Sequence, residues 1–215
     1  DRGDDQRVVE HRIATFLQND RIAPAKVHLL EALRRFPNSE GLIYFRAFIE
    51  LREGNDASAR RTIAQLLSAA PDHHHGRRLL AVLEERRGRI EDAERLWESL
   101  IKQRPDDAEL LGLYALFLIR TRHRFEAAEI AERGIKINPQ DRHCLWALAI
   151  CEILDSPWDP AHPRFEALLQ ASPEWIATGK TLMLSLESQG RNREALQVAQ
   201  RLLTDWPHSV ELVCD

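Results

Sequence analysis

Residues 108–141 read AELLGLYALFLIRTRHRFEAAEIAERGIKINPQD. Leu110, Leu111, Tyr114, Ala115 and Leu118 recur at helical spacing, Thr121 to Arg124 form a polar break, and Ala127, Ile130, Ala131 and Ile135 make a second apolar face. This pattern predicts two helices of about 14 residues joined by a short turn. Pro139 stops the second helix, because its ring clashes with the preceding turn and it has no N–H to donate.

The same organisation extends along the chain. Prolines stand at 37, 71, 105, 139, 173 and 207, each 34 residues after the last. Twelve residues before each is an alanine: Ala25, Ala59, Ala93, Ala127, Ala161 and Ala195. Four before each is an aliphatic side chain: Leu33, Leu67, Ile101, Ile135, Leu169 and Leu203. With the proline placed at position 32, six units run 6–39, 40–73, 74–107, 108–141, 142–175 and 176–209. Position 8 reads Ile13, Ala47, Ala81, Ala115, Ala149 and Met183, and position 27 reads Ala32, Leu66, Leu100, Gly134, Leu168 and Leu202. Small residues thus recur where helices must approach closely. Gly54, Gly88 and Gly190, all at position 15, suit the left-handed residue that ends a first helix. Residues 1–5 form a polar N-terminal segment. Residues 210–215 start a further or capping helix that opens apolar, so the natural protein is expected to continue beyond it.

On these columns the sequence resembles the tetratricopeptide repeat family, whose 34-residue helix–turn–helix unit prefers small residues at 8 and 20, a bulky one at 24 and proline at 32. Position 24 is Leu29, Ile63, Trp97, Ala131, Phe165 and Ala199. The resemblance implies an all-α fold, a right-handed superhelical solenoid of antiparallel helix pairs whose first helices line a concave groove. Positions 2, 5, 9, 12 and 13 of the family face a ligand. They correspond to Tyr44, Phe48, Leu51 and Arg52 in the second unit and to His75, Arg78, Val82, Glu85 and Arg86 in the third. The fourth contributes Leu116, Ile119 and Arg120, and the fifth Trp146, Ile150 and Ile153.

That surface is apolar with cationic accents, and soluble proteins seldom expose contiguous aromatics unless something docks on them. Arg52, Arg86 and Arg120 share position 13. Each either closes the C-terminal end of its first helix or faces a ligand, and one guanidinium can do both. Co-chaperones of this family grip acidic tails with Lys at 5 and Asn at 9. Here position 5 is Glu10, Tyr44, Arg78, Gly112, Trp146 and Lys180, and position 9 is Ala14, Phe48, Val82, Leu116, Ile150 and Leu184, so that clamp is absent.

Composition narrows the partners. The 215 residues are 44% hydrophobic, enough for one or two domains with a sizeable core. Thirty Lys and Arg nearly balance 34 Asp and Glu, giving net −4, so no field favours nucleic acid. No apolar run reaches the roughly 18 residues that span a bilayer, so no membrane insertion is expected from this segment. The chain opens at Asp1 and its only Met is Met183, so a processed or excised form is expected, with removal of a signal or anchor left open. Cys144 and Cys151 are seven apart on a helical pattern, about 10 Å and beyond disulfide reach. Free buried thiols fit a reducing, cytoplasmic compartment; a removed signal would point to the periplasm. Cys214, in the terminal stub, is expected to be accessible.

Chemistry-bearing motifs are few. His73, His74 and His75 are consecutive, fan about 100° apart on entering a helix, and have no Cys or carboxylate at a ligand spacing, so they read as a solvated helix start rather than a metal site. Cys144 falls at position 3 beside Val8, Leu42 and Leu110 and reads as core. Gly179-Lys180-Thr181 lacks the upstream glycine of a phosphate loop. Glu84 and Glu85 read as solvated charge, and the proline-rich connector around Trp158, with Asp159 capping the next helix, reads as a rigid turn. No enzyme and no cofactor are expected.

Two functions follow. One is a non-catalytic interaction scaffold that binds a partner's peptide or helix, apolar with acidic flanks, in the groove. The other is a regulatory or localisation region of a larger bacterial envelope, secretion or polysaccharide-export protein whose activity lies elsewhere. The open C-terminal end adds a surface for self-association.

Overall fold

A computed structural model of the chain describes residues 2–19 and 21–155, together with residues 187, 190, 191, 193 and 196. Among the described residues every regular element is a helix: α1 (Arg2–Gln18), α2 (Ile22–Arg35), α3 (Glu40–Arg52), α4 (Asp56–Ala69), α5 (His74–Arg86), α6 (Ile90–Gln103), α7 (Ala108–Arg120), α8 (Arg124–Ile137) and α9 (Arg142–Asp155). From α3 onward the odd-numbered helices open at 40, 74, 108 and 142, and the even-numbered ones from α2 at 22, 56, 90 and 124, so both series step by 34 residues. Helix α1 begins at Arg2, within the polar residues 1–5. Expectations for the connector at Trp158, for Ala161, Phe165, Met183 and Ala199, and for Cys214 fall outside the described residues.

The chain divides into two compact units, Asp1–Gln103 and Arg104–Asp215. In the first, α1 packs on α2, α3 on α4 and α5 on α6, while α1, α3 and α5 lie side by side. One cluster of its core joins Ile13, Ala25, Leu29, Ala32, Leu42 and Ile49; another joins Ala47, Leu51, Ala59, Ile63, Leu79 and Leu83. In the second unit α7 packs against both α8 and α9. That double contact explains why α7 is apolar around most of its circumference: Leu110, Leu111, Tyr114, Ala115, Phe117 and Leu118 are all buried.

The repeat columns are the packing contacts. Ala25, Ala59, Ala93 and Ala127 at position 20 are wholly buried, as are Ala47, Ala81 and Ala115 at position 8. Trp97 fills position 24 of the third unit at 1% exposure; burying such a side chain contributes on the order of 2–3 kcal/mol. Successive units are also matched in volume. A Cβ on Gly76 would meet Leu66, whereas a Cβ on Gly134 would meet Cys144, so position 27 of one unit and position 3 of the next divide the same space between a large and a small residue.

Helices α3, α5, α7 and α9 are each started by the side chain at position 34 of the preceding unit. Ser39 Oγ accepts from Leu42 N–H at 3.1 Å, Asp107 Oδ1 from Leu110 N–H at 3.1 Å, and Asp141 Oδ1 from Cys144 N–H at 2.9 Å. In the same column His73 does this with its ring: Nδ1 accepts from Gly76 N–H at 3.0 Å. The column is legible in the sequence, where Ser39, Asp107, Asp141 and Ser209 are ordinary capping residues among its six members.

Candidate functional site

Tyr44 and Phe48 are four residues apart on α3, which places both rings on one face, with centroids 6.4 Å apart. The start of α5 completes the face. The His75 ring lies 5.4 Å from Tyr44 and the His73 ring 5.9 Å, and Arg78 Nη2 donates to the Tyr44 hydroxyl at 3.4 Å. At the other end the Arg52 guanidinium stands 6.0 Å from the Phe48 ring centre. Five of the sequence-selected residues, Tyr44, Phe48, Arg52, His75 and Arg78, are thereby brought into one chain of contacts. Tyr44, Phe48, His75, Arg78 and Val82 are half-buried and Arg52 is exposed, so a partner reaches them without unfolding anything.

Other selected residues are placed differently. Leu51 is 4% exposed because it points into the core with Ala59, Ile63, Leu79 and Leu83, and it offers a partner almost no area. Trp146 is 6% exposed within α9 and is likewise a packed side chain rather than a presented ring. Arg86 does not close its own helix. Its Nη1 donates to the Leu51 carbonyl at 2.5 Å and lies 3.4 Å from Asp56, so it closes the C-terminal end of α3, one unit back. In the second unit Leu116, Ile119 and Ile150 are half-buried and Arg120 is exposed. The Ile153 side chain lies outside the described residues.

Two readings of charged residues change. The three histidines are half-buried rather than solvated: His73 is engaged as the α5 cap, and the His74 and His75 rings lie 4.0 Å apart. Among the described residues no group of three or more His, Cys, Asp or Glu is arranged to hold a metal ion. Glu84 is buried at 7%, not solvated; its Oε2 pairs with Arg89 Nε at 2.6 Å across the α5–α6 turn. Nothing in the spacing of Glu84-Glu85 separates the buried carboxylate from the half-buried one.

The cysteines are placed as the pattern indicates. Cys144 and Cys151 are free and buried. Burial, reinforced by the neighbouring Asp141 carboxylate, pushes the Cys144 thiol well above its ordinary range, so it stays protonated and inert at neutral pH. Its Sγ donates to the Ala108 carbonyl at 3.2 Å.

The family model described as tetratricopeptide repeat matches residues 74–117. Solved structures agree over nearly the whole chain. Pseudomonas aeruginosa pilF aligns with a TM-score of 0.62 at 15% identity, covering 99% of this chain and 96% of that one. A thermophilic TPR protein of Thermus thermophilus aligns at 0.61 and 16% identity, covering 97% and 95%. Residues 74–117 thus carry a tetratricopeptide repeat, and the solved structures share its helical-repeat fold. A TPR protein from Parabacteroides merdae aligns at 0.58 and 18% identity, covering 93% of this chain and 79% of its own. At these identities the likeness is one of fold, an all-α helical-repeat architecture. No curated protein matches the sequence. Tetratricopeptide repeats are typically non-enzymatic modules that hold other proteins. No helix among the described residues is long and apolar enough to cross a membrane.

Proposed function

We propose that the chain is a protein-interaction scaffold that holds a partner's peptide or helix against the exposed face of its first helices, with α3 and the start of α5 as the principal contact. The observation that carries this is the Tyr44–Phe48 face: two aromatic rings left half-exposed side by side, bounded by Arg52 at one end and by His75 and Arg78 at the other. Aromatic side chains supply much of an interface's energy when a partner finishes their desolvation, and guanidinium groups at the margin select carboxylates flanking an apolar motif. Within the second unit Leu116, Ile119, Arg120 and Ile150 carry similar chemistry on α7 and α9.

The test is recovery of a partner from the source cells, followed by titration against variants. Phe48→Ala and Tyr44→Ala should each weaken binding by about 2 kcal/mol, and Arg52→Ala by less because an exposed charge contributes modestly. Partner binding that is unchanged in all three folded variants would remove this face from the function. Leu51 and Trp146 are unsuitable probes, since their loss would disturb packing.

A further inference from the structure

Among the side chains that start the first helices, one is of a type that changes charge near neutrality. Helices α3, α7 and α9 are started by oxygen acceptors, a serine hydroxyl and two carboxylates. Helix α5 is started by His73, whose Nδ1 accepts from Gly76 N–H at 3.0 Å. An imidazole can do this only while Nδ1 keeps its lone pair. Once protonated it presents an N–H to an N–H, and its positive charge stands at the positive end of the α5 dipole. Histidine is the side chain whose ordinary chemistry takes up a proton between about pH 8 and 5.

The same ring touches the aromatic face. His73 lies 5.9 Å from Tyr44 and 6.1 Å from His75, and Tyr44 itself meets His75 and accepts from Arg78. The groups around the ring decide what a proton there meets. Helix α3 brings Tyr44, and α5 brings His74 and His75 as ring neighbours. Further along α5 stand Arg78 and Arg77, the latter donating to Ser99 of α6 at 3.4 Å. Helix α4 ends in Leu66, Leu67, Ser68 and Ala69, with no titratable side chain. Glu40 on α3, Asp72 in the connector, and Glu98 and Lys102 on α6 are exposed. Among the described residues no carboxylate pairs with His73.

We infer that His73 is an acid-operated switch on the docking face. The switch presupposes the first-helix face proposed above and sets the condition under which that face is whole. With Nδ1 unprotonated, the cap holds the first turn of α5 and keeps the His73 and His75 rings beside Tyr44. Protonation removes the cap, the first turn frays, and Tyr44 and Phe48 lose the α5 side of the face. The capped state requires the neutral ring, so it is complete in neutral to alkaline solution and is lost as the pH falls. Acid therefore weakens docking. Charge alone would act in the opposite sense, since protonated histidines beside Arg78 would attract a partner's carboxylates more strongly.

The experiment follows the Gly76 amide and the Tyr44 ring by NMR in the purified, isotope-labelled chain from about pH 8 to about pH 5. Protection of Gly76 N–H, corrected for intrinsic exchange rates, should fall about fivefold with acid, the loss of one cap, and the Tyr44 ring signals should shift with it. His73→Asn caps with an amide and should hold Gly76 protection constant, whereas His73→Ala should lack it at every pH. A variant with both His74→Gln and His75→Gln should keep the acid response. Constant Gly76 protection in the parent, an equal acid response in His73→Asn, or a response abolished by the His74 and His75 changes would each overturn the switch. Docking is read with the partner recovered at neutral pH: its affinity should fall about fivefold with acid for the parent and not for His73→Asn. Affinity that holds or rises with acid in the parent would overturn the proposal. If Tyr44→Ala and Phe48→Ala leave partner binding unchanged at neutral pH, the face reading itself has failed, and the Gly76 and Tyr44 signals still decide whether His73 switches in the free chain.

Discussion

Gly134 gives a stringent test of the packing between α8 and α9. A Cβ at this position would stand 2.2 Å from Cys144 Sγ, 3.5 Å from Cys144 Cβ and 3.5 Å from the Ala108 carbonyl. Ordinary non-bonded contact lies near 3.5–4 Å, so Gly134→Ala forces the thiol back by about 1.3 Å or more. Cys144 is wholly buried and its Sγ donates to Ala108, so the thiol has little room to retreat. Overpacking of this kind costs about 1–3 kcal/mol, against about 0.5–1 kcal/mol gained by replacing a helical glycine with alanine. A net loss is expected. In a Cys144→Ala background the sulphur is gone and the nearest side-chain neighbour is the Cβ at 3.5 Å, an ordinary contact. There the same Gly134→Ala change should stabilise by about 0.5–1 kcal/mol. Denaturant unfolding of the four proteins, followed by circular dichroism, should therefore give a coupling of about 1–3 kcal/mol with a reversal of sign. A Gly134→Ala effect that is the same in both backgrounds would refute the claim that Cys144 fills the space glycine leaves.

Other expectations follow from the same geometry. His73→Asn should keep the α5 cap and His73→Ala lose about 1 kcal/mol, measured by thermal unfolding; equal stability of the two would dismiss the ring as a cap. Arg89→Ala leaves the Glu84 carboxylate buried and unpaired and should cost about 2 kcal/mol, below the ~3–5 of a fully enclosed pair because Arg89 is 38% exposed; Arg87→Ala is the near-neutral control. The raised Cys144 thiol means that the folded state holds its proton longer than the unfolded state. Its contribution is complete below the unfolded thiol's ordinary value near 8.5 and is lost as pH rises above it, by at most about 1.4 kcal/mol per pH unit. Denaturation midpoints measured from pH 7 to 10 should fall more steeply than in Cys144→Ala, and parallel curves would contradict this.

The periodic columns of the sequence determined the helices and their order. Proline at position 32, alanine at 20 and small residues at 8 act within a few residues of themselves, by stopping a helix or letting a neighbour close in, so their effect is readable locally. That is why Ala59, Ala93 and Ala127 could be assigned to contacts and Gly54 and Gly88 to left-handed turns, and why Cys144 and Cys151 could be placed in the core. The tertiary structure decided which member of a helix face is presented and which is packed. Leu51 and Trp146 occupy ligand-facing register positions, yet neighbouring helices cover them. Glu84 and Glu85 are adjacent and chemically identical, yet it is Glu84 that is buried, against Arg89. Arg86 reaches back to the Leu51 carbonyl, 35 residues away, while Gly134 is small because Cys144, on another helix, takes the space. Each of these depends on distances between residues far apart in the chain, which a 34-residue periodicity aligns in sequence but does not measure in space.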